Sequence, residues 1–135
     1  MDAATRKRIA ARAGGRCEYC RLPQSQAGFA AFHVEHVIAR QHRGPDDDEN
    51  LALACHRCNA HKGPNLAGYD PDTGEIVRLF HPRRDAWTEH FFRDGPRIRG
   101  LTGIGRTTVW VLQMNAEVRL ELRAAILEAG ENLDG

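Results

Sequence analysis

The sequence lacks any long apolar run. Its 135 residues are 41% hydrophobic and 27% charged, which is typical of a globular protein, and no stretch approaches membrane-spanning length. The opening segment MDAATRKRIAARAGG has neither the apolar core nor the cleavage site of a secretory signal. We therefore expect a cytoplasmic protein without a membrane partner. The chain also lacks repeats and low-complexity tracts, and its length predicts one domain over residues 1–135.

A strong net charge is absent as well, since the formal value is only +1, so bulk charge gives no argument for a nucleic-acid partner. The distribution is more informative. Met1–Arg21 holds six basic residues against two acids, and Arg78–Arg106 holds seven arginines against three acids. If these segments share a face, they predict a surface that follows a phosphate backbone. A solvated surface of mixed charge remains the alternative.

The four cysteines form two pairs with the same spacing, and none is left over: Cys17, Cys20, Cys55 and Cys58. Two Cys-x-x-Cys pairs brought together by a fold provide the four thiolates of a tetrahedral structural Zn²⁺ site. Disulfides would require an oxidising compartment, which the N-terminal segment does not indicate. A thiol redox protein is disfavoured, because a redox centre needs only one such pair.

Between the cysteine pairs, the pattern predicts two strands and a helical turn. Alternating apolar and polar residues over Phe32–Ile38 indicate a short strand. A surface loop with Gly44-Pro45 and four acids, residues 46–49, follows. Asn50 then opens a second strand, Leu51 to Ala54, and a helical turn beginning at Asn59 is expected to stop at Gly63-Pro64.

These elements should bring Glu35, His36 and Asn59 to one point. Carboxylate and amide oxygens suit Mg²⁺ or Mn²⁺, and they leave positions open for phosphate oxygens and water. A neutral imidazole beside them can take a proton from an attacking water molecule. Strict alternation places Glu35 and His36 on opposite faces of a strand, so the strand must twist, bulge or end there.

The segment resembles the HNH endonucleases, which have a ββα-metal (His-Me finger) fold. The resemblance runs through Glu35-His36, then Asn50 fourteen positions later and Asn59 nine positions after that, between the two cysteine pairs. It covers about residues 15–65. Two positions depart from the common pattern, because Glu35 stands where Asp is usual and Asn59 where many members carry His.

The resemblance implies an α+β protein with a small ββα-metal core stapled by a four-cysteine zinc site. Flanking helices and an extra β/α layer, about residues 66–135, would pack on this core. By resemblance, His36 is the general base, Glu35 and Asn59 hold one catalytic Mg²⁺ or Mn²⁺ ion, and Asn50 orients the loop that carries the base. The expected activity is metal-dependent hydrolysis of double-stranded DNA that leaves 5′-phosphate and 3′-hydroxyl ends.

DNA contacts are expected beside the site and in the arginine-rich segment. His33 shares a strand face with Glu35, so it is either an additional ligand or phosphate contact, or an ordinary strand histidine. The residues expected to neutralise phosphates are Lys62, His33, Arg83, Arg84, Arg97, Arg99 and Arg106.

The flanking segments predict further elements. We expect a helix over Asp2–Ala13, a strand over Ile76–Phe80, a short helical turn capped by Asp85, a hairpin around Asp94-Gly95-Pro96, and a buried helix or a strand over Ile104–Met114. A final helix, Ala116 to about Ala129, should be capped by Asn115. Its apolar stripe is expected to pack on the core: Val118, Leu122, Ala125, Ile126 and Ala129.

The main alternative is a catalytically silent zinc-ribbon module that binds nucleic acid or a protein partner. Both interpretations explain the cysteines. A zinc ribbon has no need of a buried carboxylate beside an imidazole, which costs free energy unless it has a purpose. Metal-dependent cleavage of plasmid DNA distinguishes the two.

Overall fold

The computed structural model contains the predicted helices and strands in the predicted order, together with one strand, Ala67–Tyr69, that the sequence does not predict. It describes residues 1–28 and 31–133. The helices are α1 (Ala3–Arg12), α2 (His56–Lys62), α3 (Trp87–His90), α4 (Gly103–Val111) and α5 (Glu117–Glu128). The strands are β1 (His33–His36), β2 (Leu51–Ala54), β3 (Ala67–Tyr69), β4 (Ile76–Arg78), β5 (Phe91–Asp94) and β6 (Arg97–Gly100). The expected α+β class is confirmed.

The strands pair as three antiparallel hairpins, β1 with β2, β3 with β4 and β5 with β6. In the first, His33 lies opposite Ala54 and His36 opposite Leu51. All four residues of β2 are buried, so this strand lies within the core and α2 follows it directly. This ββα unit begins its helix at His56, which places Asn59 inside the helix rather than at its start.

Helix α1 lies within the predicted range Asp2–Ala13 and is capped at its start by Asp2. The Asp2 carboxylate accepts a hydrogen bond from the backbone N–H of Thr5 at 2.7 Å, and Gly14 and Gly15 take positive φ values after the last turn. Ile9 is fully buried with Leu51 and Leu53, so α1 covers one side of β2.

The larger hydrophobic cluster joins the cysteine-rich segment to the C-terminal part of the chain. It includes Tyr19 and Cys58 together with Phe80, Phe91 and Leu133. The Trp87 indole N–H donates to the Tyr19 carbonyl at 2.7 Å, and Arg16 donates to the carbonyl of Leu133 at 3.0 Å. None of the helices in the described residues has the length and apolarity that crossing a bilayer requires.

Helix α5 does not bury the stripe that the sequence predicts. Only Ile126 of that stripe is buried, while Val118 is 47% exposed and Leu122 is 38% exposed. The face that packs inward carries Arg119 and Arg123 instead, both almost fully buried. The prediction is wrong because the surface beneath α5 presents sulfur atoms and backbone carbonyls, which need hydrogen-bond donors rather than methyl groups.

Two predicted caps are also wrong. Asn115 does not cap α5, whose N-cap is Ala116; its side chain bonds both backbone groups of Ile98. Asp85 does not cap α3, because its carboxylate accepts from the backbone of His81 and from Arg78. In each case the polar side chain finds a partner elsewhere in the chain.

Candidate metal and nucleic-acid site

The four cysteine sulfurs form one buried cluster, with all ligand atoms within 4.8 Å of one another. The Cys20 and Cys55 sulfurs are 3.7 Å apart, close to the edge of about 3.8 Å in a tetrahedron with bonds of about 2.3 Å to zinc. In each pair, the backbone N–H of the second cysteine donates to the sulfur of the first. Burial raises the pKa of the Cys17 and Cys58 thiols, whereas hydrogen bonds to the neighbouring sulfurs lower the pKa of Cys20 and Cys55. A bound cation would favour the thiolate form of all four. The cluster fits a structural zinc ion.

Arg119 provides a second layer around this cluster. Its guanidinium donates to the Cys58 sulfur at 3.0 Å and approaches the Cys55 sulfur at 3.8 Å. The same side chain also donates to the carbonyl of Leu112 at 2.8 Å. A positive charge at this position offsets the negative charge of a tetrathiolate centre, and it docks α5 on the cysteine cluster.

A separate open cleft of about 470 Å³ lies where β1 ends beside α2. Glu35, His36 and Asn59 all line it, together with Arg40. The adjacent positions Glu35 and His36 reach the same cleft without a bulge, because β1 pairs in continuous register and ends at His36.

The Glu35 carboxylate lies at the buried side of the cleft. It accepts a hydrogen bond from the Tyr19 hydroxyl, and its other oxygen is 3.5 Å from the Lys62 ammonium. Burial raises the pKa of Glu35, and the positive charge of Lys62 opposes that shift. Lys62 therefore compensates the carboxylate from inside the protein.

The His36 ring lies nearer the surface and has an acidic partner. Its Nε2 is 2.7 Å from a carboxylate oxygen of Asp46, in the loop between β1 and β2. Arg40 contacts the same Asp46 oxygen through Nε at 3.3 Å and Nη2 at 3.2 Å. One anionic oxygen thus joins an imidazole and a guanidinium at the edge of the cleft.

Asn50 closes the loop that carries these groups. Its amide oxygen accepts from the N–H of Ile38, and its amide nitrogen donates to the carbonyls of Ile38 and Pro45, all within 2.9 Å. A side chain at Gly44 would overlap the Ile38 carbonyl, so the loop also depends on a glycine for this close approach.

His33 faces another histidine. Its Nε2 lies 3.2 Å from Nδ1 of His56, the first residue of α2, and His33 does not line the cleft that contains Glu35 and His36. Its role as a ligand or as a phosphate contact stays a proposal.

Two of the basic side chains expected at DNA are in the wrong place for that role. Lys62 is 1% exposed and donates to the Val37 carbonyl at 2.8 Å, so it is an internal counter-ion. The Arg83 guanidinium lies against Glu18 with its side chain largely buried, and burial lowers the pKa of Arg83 to about 10. Both predictions placed long side chains on the surface because sequence alone does not show a buried acid waiting for them.

The other arginines are closer to solvent. Arg84 and Arg97 are exposed. Arg99 is also exposed and forms an ion pair with Asp94, while the partly exposed Arg106 donates to both oxygens of Asp70. Contact of these four with DNA stays a proposal.

Sequence reasoning misses several residues that shape the site, because the contacts that they make belong to no recognisable sequence pattern. Tyr19 sits inside the first Cys-x-x-Cys pair, whose spacing is informative only about its cysteines. Arg40 and Asp46 lie in a loop whose composition predicts no more than a polar surface. For Arg119, the sequence offers only the apolar stripe of its helix, and that stripe predicts that Arg119 faces solvent rather than the core.

Two antiparallel strands, a following helix and a four-cysteine cluster define a small zinc-stapled ββα core. Residues 17–65, just over a third of the 135-residue chain, match the model of the HNH endonuclease family, and we refer to this matched segment as the HNH domain. A search of curated proteins found no match to the chain, and neither did a search of solved structures. An HNH domain indicates a nuclease-type function on nucleic acid.

Proposed function

We propose that the protein is a metal-dependent endonuclease that hydrolyses DNA phosphodiester bonds. The observation that carries the proposal is the convergence of Glu35, His36 and Asn59 on one open cleft within the HNH domain. Hydrolysis of a phosphodiester needs a base for the attacking water and positive charge at the phosphate oxygens, and an open cleft leaves these side chains accessible to a phosphate group and a water molecule.

In this proposal each residue has a separate role. His36 takes the proton of the attacking water, and Glu35 with Asn59 holds one Mg²⁺ or Mn²⁺ ion. Asn50 fixes the loop after β1, and its three hydrogen bonds keep the approach to His36 in one shape. The cysteine cluster binds a structural zinc ion, which takes no part in hydrolysis because four thiolates leave no open coordination position.

The donor set at the cleft fits a hard divalent cation in kind, since Glu35 offers a carboxylate and Asn59 an amide oxygen. When bound, such a cation stabilises negative charge on the phosphate oxygens. Tyr19 and Lys62 hold the Glu35 carboxylate in one orientation, and both contacts favour its ionised form, which is the form that binds a cation. Their contacts leave lone pairs of the carboxylate for a further partner.

DNA would approach from the exposed side of the loop between β1 and β2. Arg84 and Arg97, and more weakly the ion-paired Arg99 and Arg106, remain the proposed phosphate contacts outside the cleft. Phosphate contacts of this kind carry little sequence information, so the proposed binding is salt-dependent and of low sequence preference.

The test is cleavage of supercoiled plasmid with and without added Mg²⁺ or Mn²⁺, comparing the parent with His36→Ala. A general base contributes a factor of about 10² to 10⁴, so His36→Ala should cleave more slowly by that factor while keeping its zinc. His42→Ala is the matched control, because His42 is an exposed histidine in the same loop. Equal rates for His36→Ala and the parent would end the assignment of His36 as the base.

One observation favours the alternative of a silent zinc module that binds nucleic acid or a protein. The Glu35 carboxylate already has two internal partners, Tyr19 and Lys62, which satisfy it without a cation. A parent protein that binds DNA normally but cleaves none with several divalent ions would support this second function.

A further inference from the structure

Asp46 contacts two side chains of the cleft, His36 and Arg40, and the proposed function assigns no role to this contact. One carboxylate oxygen of Asp46 accepts from His36 Nε2 and from two nitrogens of Arg40. Because an ionised carboxylate only accepts hydrogen bonds, Nε2 of His36 carries a proton in this contact. While this contact holds, that nitrogen cannot take a proton from water.

Hydrogen bonds to the backbone of the loop position Asp46 beside His36. The Asn50 amide donates to the carbonyl of Pro45, the residue immediately before Asp46, at 2.8 Å. The backbone N–H of Gly44 donates to the Ala39 carbonyl, which brings the two halves of the loop together. The backbone of the loop thus holds Asp46 beside His36, while its side chain is exposed to solvent.

The side-chain contact itself is easy to exchange. The Asp46 side chain is 71% exposed and the Arg40 side chain 70% exposed. Ion pairs exposed to this degree contribute little stability, and all three hydrogen bonds fall on a single oxygen. A carboxylate that orients a catalytic histidine is instead buried, as in the serine-protease triad.

A phosphate oxygen suits the same two donors. Guanidinium groups bind phosphates through paired N–H donors, and Arg40 lines the cleft together with Glu35, His36 and Asn59. The Asp46 carboxylate thus occupies a position between an imidazole and a guanidinium where an anionic phosphodiester would fit.

We propose that Arg40 binds the scissile phosphodiester and that Asp46 holds this position in the free protein until DNA displaces it. The inference rests on the proposed function, and it assigns the binding of the substrate phosphate to the Arg40 guanidinium. On binding, Arg40 exchanges the Asp46 oxygen for phosphate oxygens, and His36 Nε2 is released from the carboxylate. No covalent bond is made or broken in this exchange.

The test measures the affinity of a short fluorescein-labelled duplex by anisotropy, without added divalent cation so that the DNA stays intact. Arg40→Gln should bind about tenfold more weakly, because it loses a charged contact at the phosphate. Asp46→Asn should bind about three- to tenfold more tightly, because the competing anion is gone. In the double variant Arg40→Gln/Asp46→Asn, the gain from Asp46→Asn should largely disappear.

Matched variants separate this effect from net charge. Arg43→Asn removes one positive charge from the same loop, at a left-handed position that asparagine tolerates, and Asp47→Asn removes the adjacent exposed negative charge. Both should change the affinity by less than about twofold. If Arg43→Asn weakens binding as much as Arg40→Gln, or Asp47→Asn tightens it as much as Asp46→Asn, the inference fails.

Measurements of cleavage activity distinguish a role of Asp46 in orienting His36 from the proposed role in occupying the phosphate position. With Mg²⁺ or Mn²⁺ added, an Asp46→Asn variant with unchanged affinity but lower kcat would show that Asp46 orients His36, which overturns the inference. If the parent cleaves no DNA while the affinity pattern holds, the nuclease function fails and the role of Arg40 in binding phosphate stands.

Discussion

At the scale of single residues, the site depends on charges and amides that are largely shielded from bulk water. Glu35 is 7% exposed and Lys62 is nearly inaccessible, so each compensates the other. Removing one partner of a buried ion pair leaves the other charge without compensation, which costs far more than the pair contributes. The interior of the cleft is therefore more sensitive to substitution than its exposed edge.

Lys62→Met tests this dependence. The variant should lose about 3 kcal/mol of the free energy of unfolding, because the Glu35 carboxylate and the Val37 carbonyl both lose a donor. Chemical denaturation with zinc present measures the change, and Lys7→Met, on an exposed face of α1, is the control. Adding Glu35→Gln should recover part of the loss; a Lys62→Met variant as stable as the parent would contradict the internal ion pair.

Asn50→Asp is a nearly isosteric test of the loop. The aspartate still accepts from the Ile38 N–H, but it presents an oxygen to the Ile38 and Pro45 carbonyls where the amide donated. Since Asn50 is buried, the variant should lose about 2 kcal/mol or more of stability and should cleave DNA more slowly. The exposed Asn65→Asp should change neither quantity, and an unaltered Asn50→Asp would rule out the loop-closing role.

At the scale of elements, the local pattern is enough for some predictions and not for others. The order of strands and helix between the cysteine pairs is predictable, because alternation, turn residues and Cys-x-x-Cys spacing are all local signals. The orientation of α5 is not, because it depends on Cys58 and on open carbonyls from other segments. The caps assigned to Asp85 and Asn115 fail because each side chain hydrogen-bonds groups that precede it in the chain, Asp85 those of Arg78 and His81 and Asn115 those of Ile98.

Truncations on α5 separate the predicted face from the observed one. Ile126→Ala should cost about 2–4 kcal/mol of stability, because Ile126 is buried in the main hydrophobic cluster. Leu122→Ala should cost less than about 1 kcal/mol, because Leu122 is substantially exposed. Both are measured by denaturant unfolding. Equal losses would restore the sequence-based prediction that both residues face the core.

At the scale of the whole molecule, the cysteine cluster joins the beginning and the end of the described chain. Trp87 touches the first cysteine pair through the Tyr19 carbonyl, and Arg119 touches the second through the Cys58 sulfur. The C-terminal segment is therefore supported by the same site that supports the HNH domain. This coupling is not predictable from the sequence, because no local signal connects residues so far apart.

Zinc removal should consequently disturb both parts at once. The chain has two tryptophans, and Trp110 is 61% exposed, so a Trp110→Phe background leaves Trp87 as the single reporter. We expect near-stoichiometric zinc by elemental analysis, and a red shift of Trp87 emission when a strong chelator removes it. Metal-coupled folding at such sites is worth on the order of 10 kcal/mol. A Cys17→Ser variant that kept zinc and native emission would exclude the four-cysteine site.

The hydrogen bond from Arg119 to the Cys58 sulfur also sets an order of events during synthesis. The two residues are 61 positions apart, so all four cysteines leave the ribosome well before α5 does. The nascent HNH domain can thus take up its metal while one side of the cluster is still uncovered, and α5 can close over it only after α5 itself has left the ribosome. A nascent chain stalled before Arg119 should therefore exchange zinc readily. A released chain that includes α5 should retain it.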